Sequence, residues 1–187
     1  VKAEQDIPVL GVIEAGAKVA ASVTRNHRIG VIGTEGTIGS GIHAEYLKKL
    51  DPKITVIGRP CPLFVPLAEE GWTHDPVTTQ VAERYLEDLK KENIDTLILG
   101  CTHYPLLRST IAQVMGDGVR LVNPAYETAL ELGRLLKEKD MLSAGTTQED
   151  FPYRFFVSDL ADKFTGFANS ILPYDVSMTK KIDIEKY

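Results

Sequence analysis

A cysteine and a histidine two residues apart, Cys101 and His103, form the strongest chemical pattern in the 187-residue sequence. Both follow the apolar run 95–99, which predicts a buried strand. In doubly wound sheets ligands bind at the carboxyl ends of the strands. A neighbouring histidine and a nearby helix N-terminus favour the thiolate form of a cysteine. A small buried cysteine in a loop is the alternative, but the position after a strand favours a functional thiol that faces a cleft.

The second cysteine, Cys61, lies between two prolines in the segment 59–62 and also follows a predicted strand. Proline on both sides makes a segment rigid and extended. No base is adjacent in the sequence, so a structural role is predicted for this thiol.

Two other segments offer polar groups. The segment 62–72 is apolar and then acidic at Glu69 and Glu70, which predicts either a short helix with a solvated end or a carboxylate that reaches the cleft. The loop 33–37, followed by Ser40, presents hydroxyls and backbone N–H groups where a helix starts, which suits a carboxylate or phosphate. It lacks the Gly-Lys-Ser/Thr of a Walker motif. The remaining histidines are interpreted as surface or packing residues: His27, His43 and His74.

Short apolar runs alternate with amphipathic segments along most of the chain. Runs that are apolar on both faces are typical of parallel strands covered by helices. The predicted strands are 9–13, 29–33, 54–57, 95–99, 119–122 and 153–157, and the predicted helices are 16–22, 38–50, 77–91, 105–115, 125–139 and 159–172. This alternation predicts an α/β doubly wound fold. A polar loop is predicted at 141–150, and the tail 180–187 has no clear period.

The composition excludes several classes of protein. Hydrophobic residues make up 43% of the sequence and charged residues 25%, as in ordinary globular proteins. A net charge of −5 argues against nucleic acid as the main partner. No apolar run has the length of a membrane span. Two isolated cysteines fit neither a disulfide framework nor a zinc finger and indicate an intracellular protein with reduced thiols.

The segment 100–107, with the sequence GCTHYPLL, resembles the second-cysteine signature of bacterial glutamate racemases. Three other segments resemble the same family in the same order: 9–16, although the family often has proline where this chain has Ala15, then the hydroxyl-rich loop 31–38 and the acidic segment 62–72. The resemblance extends from about residue 9 to 129, and more weakly to 155–159 and the following helix. The chain is therefore identified as a member of the cofactor-independent aspartate/glutamate racemase family.

The resemblance implies a two-base reaction without pyridoxal or any other cofactor. One thiolate removes the α-proton of glutamate, and an opposite thiol returns a proton to the other face. Cys101 would act on L-glutamate and His103 would assist it, while Glu69 matches the family's carboxylate better than Glu70 does. The substrate would be held by Thr34, Thr37, Thr102 and His103. The resemblance also implies a cytoplasmic homodimer that binds no nucleic acid or membrane and supplies D-glutamate for peptidoglycan synthesis.

The family begins with a strand that bears an Asp-Ser-Gly turn and continues to an Ala-Cys-Asn-Thr segment with the first catalytic cysteine. Neither occurs in this sequence, and Cys61 matches a different segment of the family. The chain is expected to be N-terminally incomplete and inactive alone. The family has two similar α/β domains with the active site between them. By that pattern residues 1–23 are a remnant of the first domain, 24–123 form the second, and 124–187 return to the first and add a tail.

Three other functions fit the residues. Aspartate and hydantoin racemases share the general layout, although the segments 62–67 and 101–107 favour glutamate. A Cys–His hydrolase would use Cys101 as a nucleophile and form a covalent acyl intermediate. A non-catalytic α/β binding module would keep its ligand when Cys101 is replaced by alanine.

Overall fold

The computed structural model describes residues 7–143, 153–176 and 179–186. The chain divides into two compact units, Val1–Asp140 and Met141–Tyr187. Among the residues so described, no helix combines the length and the apolar character that a bilayer span requires. The domain boundaries predicted at residues 23 and 123 differ from this division and stay a prediction.

The first unit is built on a four-stranded parallel sheet with the strand order β2-β1-β3-β4. Its strands are β1 (Arg28–Gly33), β2 (Thr55–Pro60), β3 (Thr96–Leu99) and β4 (Arg120–Val122). The inner strand β3 is buried along its whole length, as expected for a strand covered on both faces. The predicted α/β class with a parallel sheet is confirmed.

The strand order contains one reversal. The chain passes from β1 outwards to β2, then crosses back to β3 on the other side of β1, and continues outwards to β4. The reversal therefore lies between β1 and β3, which pair in register from Ile29 with Thr96 to Ile32 with Leu99. In sheets of this kind the crevice outside the strand ends at such a switch point is the usual ligand site.

Helices cover both faces of the sheet. They are α1 (Val12–Val23), α2 (Glu35–Gly39), α3 (Ile42–Leu50), α4 (Phe64–Glu69), α5 (Pro76–Lys91), α6 (Arg108–Met115) and α7 (Pro124–Glu138), with a 3₁₀ helix at Tyr104–Leu107. Alternate side chains of β3 enter different cores, because successive residues of a strand point to opposite faces. Leu97 and Leu99 pack with α4, α5 and α6, and Ile98 packs with α1 and α3.

Two predictions about the first fifty residues were wrong. The segment 9–13, predicted as a strand, contains no strand, and helix α1 begins at Val12. A short apolar run does not distinguish a strand from a buried helix. The small residues that follow let α1 lie close to α7, since a Cβ added at Gly16 would lie 2.9 Å from Pro124. Where a loop was predicted at 33–37 and one helix at 38–50, helix α2 already begins at Glu35. It is separated from α3 at Gly41, whose φ of 67° favours glycine.

The second unit contains β5 (Phe155–Val157), α8 (Ala161–Ile171), β6 (Thr179–Lys181) and a 3₁₀ helix at Ile184–Lys186. The strand β5 and the helix α8 were predicted from the sequence. The strand β6, which pairs in parallel with β5, was missed because its sequence TKK has no apolar alternation. In the predicted loop 141–150, residues 141–143 are neither helix nor strand, and the remainder lies outside the described residues.

Candidate active site

The carboxyl ends of β1, β2 and β3 meet at one edge of the sheet. The Gly100 N–H donates to the Ile32 carbonyl at 2.7 Å, and the Cys61 N–H donates to the Gly33 carbonyl at 2.9 Å. These bonds extend the strand pairing by one residue and place Thr34 and Cys101 at the switch point between β1 and β3. The close approach at Gly100 requires glycine, since a Cβ there would lie 2.7 Å from the Ile32 oxygen.

Cys101, His103 and Glu69 form a line of polar groups at this edge. The Cys101 Sγ lies 3.9 Å from His103 Nδ1, and His103 Nε2 lies 3.3 Å from Glu69 Oε1. His103 is the residue just before the 3₁₀ helix, and Glu69 ends α4. The two helices are held together by the edge-to-face contact of Phe64 with Tyr104, whose ring centroids are 5.3 Å apart.

This line of groups suits proton transfer at the thiol. A neutral imidazole carries one N–H, and when that N–H lies on Nε2 it donates to Glu69 and leaves Nδ1 to accept the Cys101 proton. Transfer of the proton from Sγ to Nδ1 gives a thiolate beside an imidazolium that the Glu69 carboxylate stabilises. The 3.9 Å separation is long, but hydrogen bonds of catalytic groups often shorten only when a substrate is bound.

The structure separates the two acidic candidates. Glu69 is partly buried and contacts His103, whereas Glu70 is exposed where α4 ends. Glu69 is therefore the carboxylate that contacts His103, a choice that sequence spacing alone left open.

The predicted substrate hydroxyls lie beside the same strand ends. The Thr34 Oγ1 accepts from the Thr37 N–H at 3.3 Å and lies 3.0 Å from the Thr37 hydroxyl. Thr37, Cys101 and Thr102 line one cavity, and the Thr102 hydroxyl is 3.4 Å from His103 Nδ1. The structure thus brings the candidate residues together, while their roles toward a substrate stay predictions.

The other thiol is in a different environment. Cys61 is fully buried, and its Sγ donates to the Arg59 carbonyl at 3.6 Å. Burial raises the pKa of the Cys61 thiol to about 12, so the thiolate is scarce at neutral pH. The Tyr104 hydroxyl also donates to the Cys61 carbonyl at 2.8 Å. These contacts support the structural role predicted for Cys61.

One residue near Cys101 received no functional role from the sequence. His43 of α3 is 6% exposed and lines the same cavity as Cys101. Burial lowers the pKa of its imidazole, so the ring is neutral at pH 7. The sequence signal for its burial is the spacing of four residues from the fully buried Leu47, which places both side chains on one face of α3.

Within the described ranges, His, Cys, Asp and Glu side chains form no group of three or more that could hold a metal ion.

Comparison with known proteins places these observations in a family. Residues 1–132 match the family described as Asp/Glu/Hydantoin racemase. The chain is 45% identical over 179 residues to a glutamate racemase of Geobacter metallireducens, an alignment that covers 96% of this chain and 66% of the relative. A glutamate racemase of Chlorobium phaeobacteroides is 39% identical over 183 residues, with 98% of this chain and 66% of the relative covered.

Solved structures agree with the sequence comparison. Glutamate racemase isoform RacE1 of Bacillus anthracis superimposes with a TM-score of 0.89 at 38% identity, covering 98% of this chain and 67% of that protein. A glutamate racemase of Francisella tularensis in complex with D-glutamate gives a TM-score of 0.87 at 33% identity, with 98% and 66% covered. The chain belongs to the Asp/Glu/Hydantoin racemase family. It spans about two thirds of the length of these relatives, 66% for the Geobacter enzyme.

Proposed function

We propose that this protein takes part in the interconversion of L- and D-glutamate, with Cys101 as one of two bases that act at the α-carbon. The observation that carries the proposal is the line from Cys101 through His103 to Glu69 at the switch point of the sheet. The choice of glutamate among related substrates rests on the relatives, which are glutamate racemases at 39–45% identity.

In the proposed reaction the Cys101 thiolate takes the α-proton of L-glutamate, and the electron pair of the C–H bond stays on the α-carbon. The α-proton is very weakly acidic, so donors fixed around the substrate carboxylates must stabilise the charge that develops. The hydroxyls of Thr34, Thr37 and Thr102 are the groups assigned to this task. A second acid then protonates the opposite face and gives D-glutamate, and the reverse sequence runs from D-glutamate.

Cys61, the other thiol of the 187-residue sequence, does not serve as the second acid. Cys61 is fully buried, and its pKa is raised to about 12. The proposal therefore expects the 187-residue chain alone to be inactive as a racemase, as the resemblance implies, but still to exchange the α-proton of L-glutamate on one face. On the strength of the family resemblance, the proposal also includes a cofactor-free reaction, a cytoplasmic homodimer and the supply of D-glutamate for cell-wall peptidoglycan.

Incubation in D2O tests the role of Cys101. L-glutamate and D-glutamate are supplied separately, deuterium at the α-carbon is followed by NMR, and the enantiomers are separated by chiral chromatography. The expected result is deuterium in L-glutamate without formation of D-glutamate. Cys101→Ala should abolish the exchange, whereas Cys61→Ala, the matched thiol variant, should retain it. Conversion between enantiomers would show that a second base is present. Absence of exchange from both enantiomers would refute Cys101 as a base in this chain.

The carboxylate has a matched control in the neighbouring position. Glu69→Gln removes the charge that stabilises the His103 imidazolium, and general acid–base groups typically contribute about 10² to 10⁴ in rate. A loss of exchange at the lower end of this range, about 10²-fold, is expected for Glu69→Gln, because the imidazole itself remains. Glu70→Gln should leave the rate unchanged, and equal losses in the two variants would contradict the geometry of the site.

A second candidate is a Cys–His hydrolase, because a thiol, an imidazole and a carboxylate in line are also the arrangement of an activated nucleophile. A hydrolase forms a covalent acyl intermediate on Cys101, which intact-protein mass spectrometry detects as added mass after mixing with activated esters. A racemase forms no such adduct with glutamate. The glutamate racemases among the relatives favour the first candidate.

A further inference from the structure

The Cys101 loop, residues 100–103, is joined to the start of helix α4 through Tyr104. The Tyr104 side chain is fully buried, and its hydroxyl donates to the Cys61 carbonyl at 2.8 Å. The same carbonyl accepts from the N–H of Phe64, the first residue of α4, at 3.1 Å. The Tyr104 N–H in turn donates to the Cys101 carbonyl at 3.2 Å. One buried residue therefore connects the backbone beside the thiol with the backbone from which α4 begins.

Two tyrosines hold the turn that leads into α4, and they do so from different elements. The Phe64 ring makes edge-to-face contacts with Tyr85 and Tyr104, with ring centroids 5.4 and 5.3 Å apart. The Tyr85 oxygen also accepts from the Leu63 N–H at 3.3 Å. Tyr85 belongs to α5 and anchors the turn to that helix, whereas Tyr104 anchors it to the Cys101 loop. The chain thus contains a matched pair of hydroxyls on one turn.

Helix α4 connects this turn to the carboxylate at its other end. The helix is six residues long, from Phe64 to Glu69, so it spans about 9 Å at about 1.5 Å per residue. The Glu69 Oε1 lies 3.3 Å from His103 Nε2, which is at the long end of the range for hydrogen bonds of this kind. A further displacement of about 0.3 Å would break a direct hydrogen bond. The contact therefore depends on how firmly the start of α4 is held.

We propose that Tyr104 is a positioning residue, whose hydroxyl holds α4 in the place where Glu69 contacts His103 and so favours proton transfer from Cys101. Burial raises the pKa of the Tyr104 hydroxyl well above its ordinary value, so the group stays protonated and remains a donor at neutral pH. The inference rests on the proposed role of Cys101 as a base, and it adds the residue that keeps the carboxylate in line with the imidazole.

Tyr104→Phe removes the hydroxyl and keeps the ring. The variant should fold, because its ring still packs on Phe64 and the Cys61 carbonyl still accepts from the Phe64 N–H; circular dichroism and urea unfolding check this. In the absence of glutamate, the rate at which iodoacetamide alkylates Cys101 at about pH 8 should fall about 3- to 10-fold, as expected for the loss of one hydrogen bond. Tyr85→Phe, the matched loss of a hydroxyl on the same turn, should change the rate less than about 2-fold.

Further variants separate positioning from a general structural effect. Glu69→Gln should slow the alkylation at least as much as Tyr104→Phe, because it removes the charge itself. The double variant should be no slower than Glu69→Gln, since groups that act through one contact are non-additive, whereas independent effects would multiply. Tyr104→para-aminophenylalanine restores a donor on the same ring, and it should return the rate to within about 2-fold of the wild type.

Three results would overturn the proposal: an unchanged alkylation rate in Tyr104→Phe, equal losses in Tyr104→Phe and Tyr85→Phe, or multiplied losses in the double variant. Failure of the para-amino variant to restore the rate would do the same. Alkylation requires no substrate, so these outcomes are independent of racemisation. If the wild-type chain exchanges no α-proton while the alkylation rates are as expected, the proposed function fails and the positioning role of Tyr104 stands.

Discussion

Replacement of Gly100 by alanine tests whether the position of Cys101 depends on the close contact of two strand ends. The added Cβ would lie 2.7 Å from the Ile32 carbonyl oxygen, whereas ordinary van der Waals contacts begin at 3.4 Å. The obstacle is main chain in the middle of the sheet, so no side chain can turn away. The backbone at residue 100 must retreat by about 0.7 Å, and the adjoining Cys101 moves with it.

This displacement sets the expected magnitudes. Overpacking of a well-packed interior costs about 1–3 kcal/mol of stability, and the shift also weakens the 2.7 Å bond between the Gly100 N–H and Ile32. A misplacement of about 1 Å at a reacting group can cost about 10²-fold in rate. For Gly100→Ala we therefore expect unfolding at lower denaturant concentration and a loss of α-proton exchange between about 10- and 100-fold.

The assay combines chemical denaturation with deuterium exchange into L-glutamate. Gly36→Ala is the matched control, because nothing lies within 4 Å of its added Cβ and alanine in a helix is about 0.5–1 kcal/mol more favourable than glycine. The control should be at least as stable as the wild type and exchange at the same rate. Wild-type stability and exchange in Gly100→Ala would refute the reasoning, because the strand ends would then have room that the geometry excludes.

Three other predictions concern ionisable groups. In the folded chain at pH 8, iodoacetamide should modify Cys101 and leave Cys61 unmodified, since burial raises the pKa of Cys61 to about 12. Mass spectrometry of the digested protein identifies the modified cysteine, and equal modification of both cysteines would contradict the burial of Cys61. Asp95 is disfavoured as an anion by burial, but hydrogen bonds from Thr24, Arg25, Asn26 and Thr96 outweigh this and lower its pKa. The ionised carboxylate stabilises the folded state above the unfolded-state pKa of about 4, and this contribution is lost as pH falls through the lowered pKa. Asp95→Asn should therefore lower the unfolding free energy by about 2 kcal/mol at pH 7, and by less as pH falls through the lowered pKa. Burial lowers the pKa of His43, so the histidine takes up a proton more readily in the unfolded chain. The free energy of unfolding should therefore decrease as pH falls below about 6.5. Urea unfolding at pH 7 and pH 5 should show a smaller decrease in His43→Phe than in the wild type.

Periodicity was a reliable guide where each face of an element has one environment. The runs at 29–33 and 95–99 became the central strands β1 and β3, because residues that are apolar on both faces fit only a position covered on both sides. The run 9–13 is equally apolar but leads into helix α1, because apolar residues indicate burial and do not determine whether the backbone forms a strand or a helix. The strand β6 gave no signal, because the sequence TKK offers neither face to a core.

The candidate site was predictable only in part for a topological reason. Cys101 and His103 are two residues apart, so their proximity is local and visible in the sequence. Glu69 belongs to a helix that follows β2, and its contact with His103 depends on where β2 and β3 lie in the sheet. Strand order is a property of tertiary packing that spacing along the chain does not encode. Spacing alone therefore left Glu69 and Glu70 equivalent; the family resemblance favoured Glu69, and the structure shows its contact with His103.

The two cysteines show what distinguishes a reactive thiol from an inert one in this fold. Both follow parallel strands and reach the same edge of the sheet, so position after a strand does not separate them. Cys61 follows the edge strand β2 and lies in the core formed by α4, α5 and α6. Among the described residues, its Sγ donates a hydrogen bond to the Arg59 carbonyl. Cys101 follows β3 at the switch point, where it remains partly exposed and faces His103. The order of the strands, more than the residue type, determines which thiol is available for proton transfer.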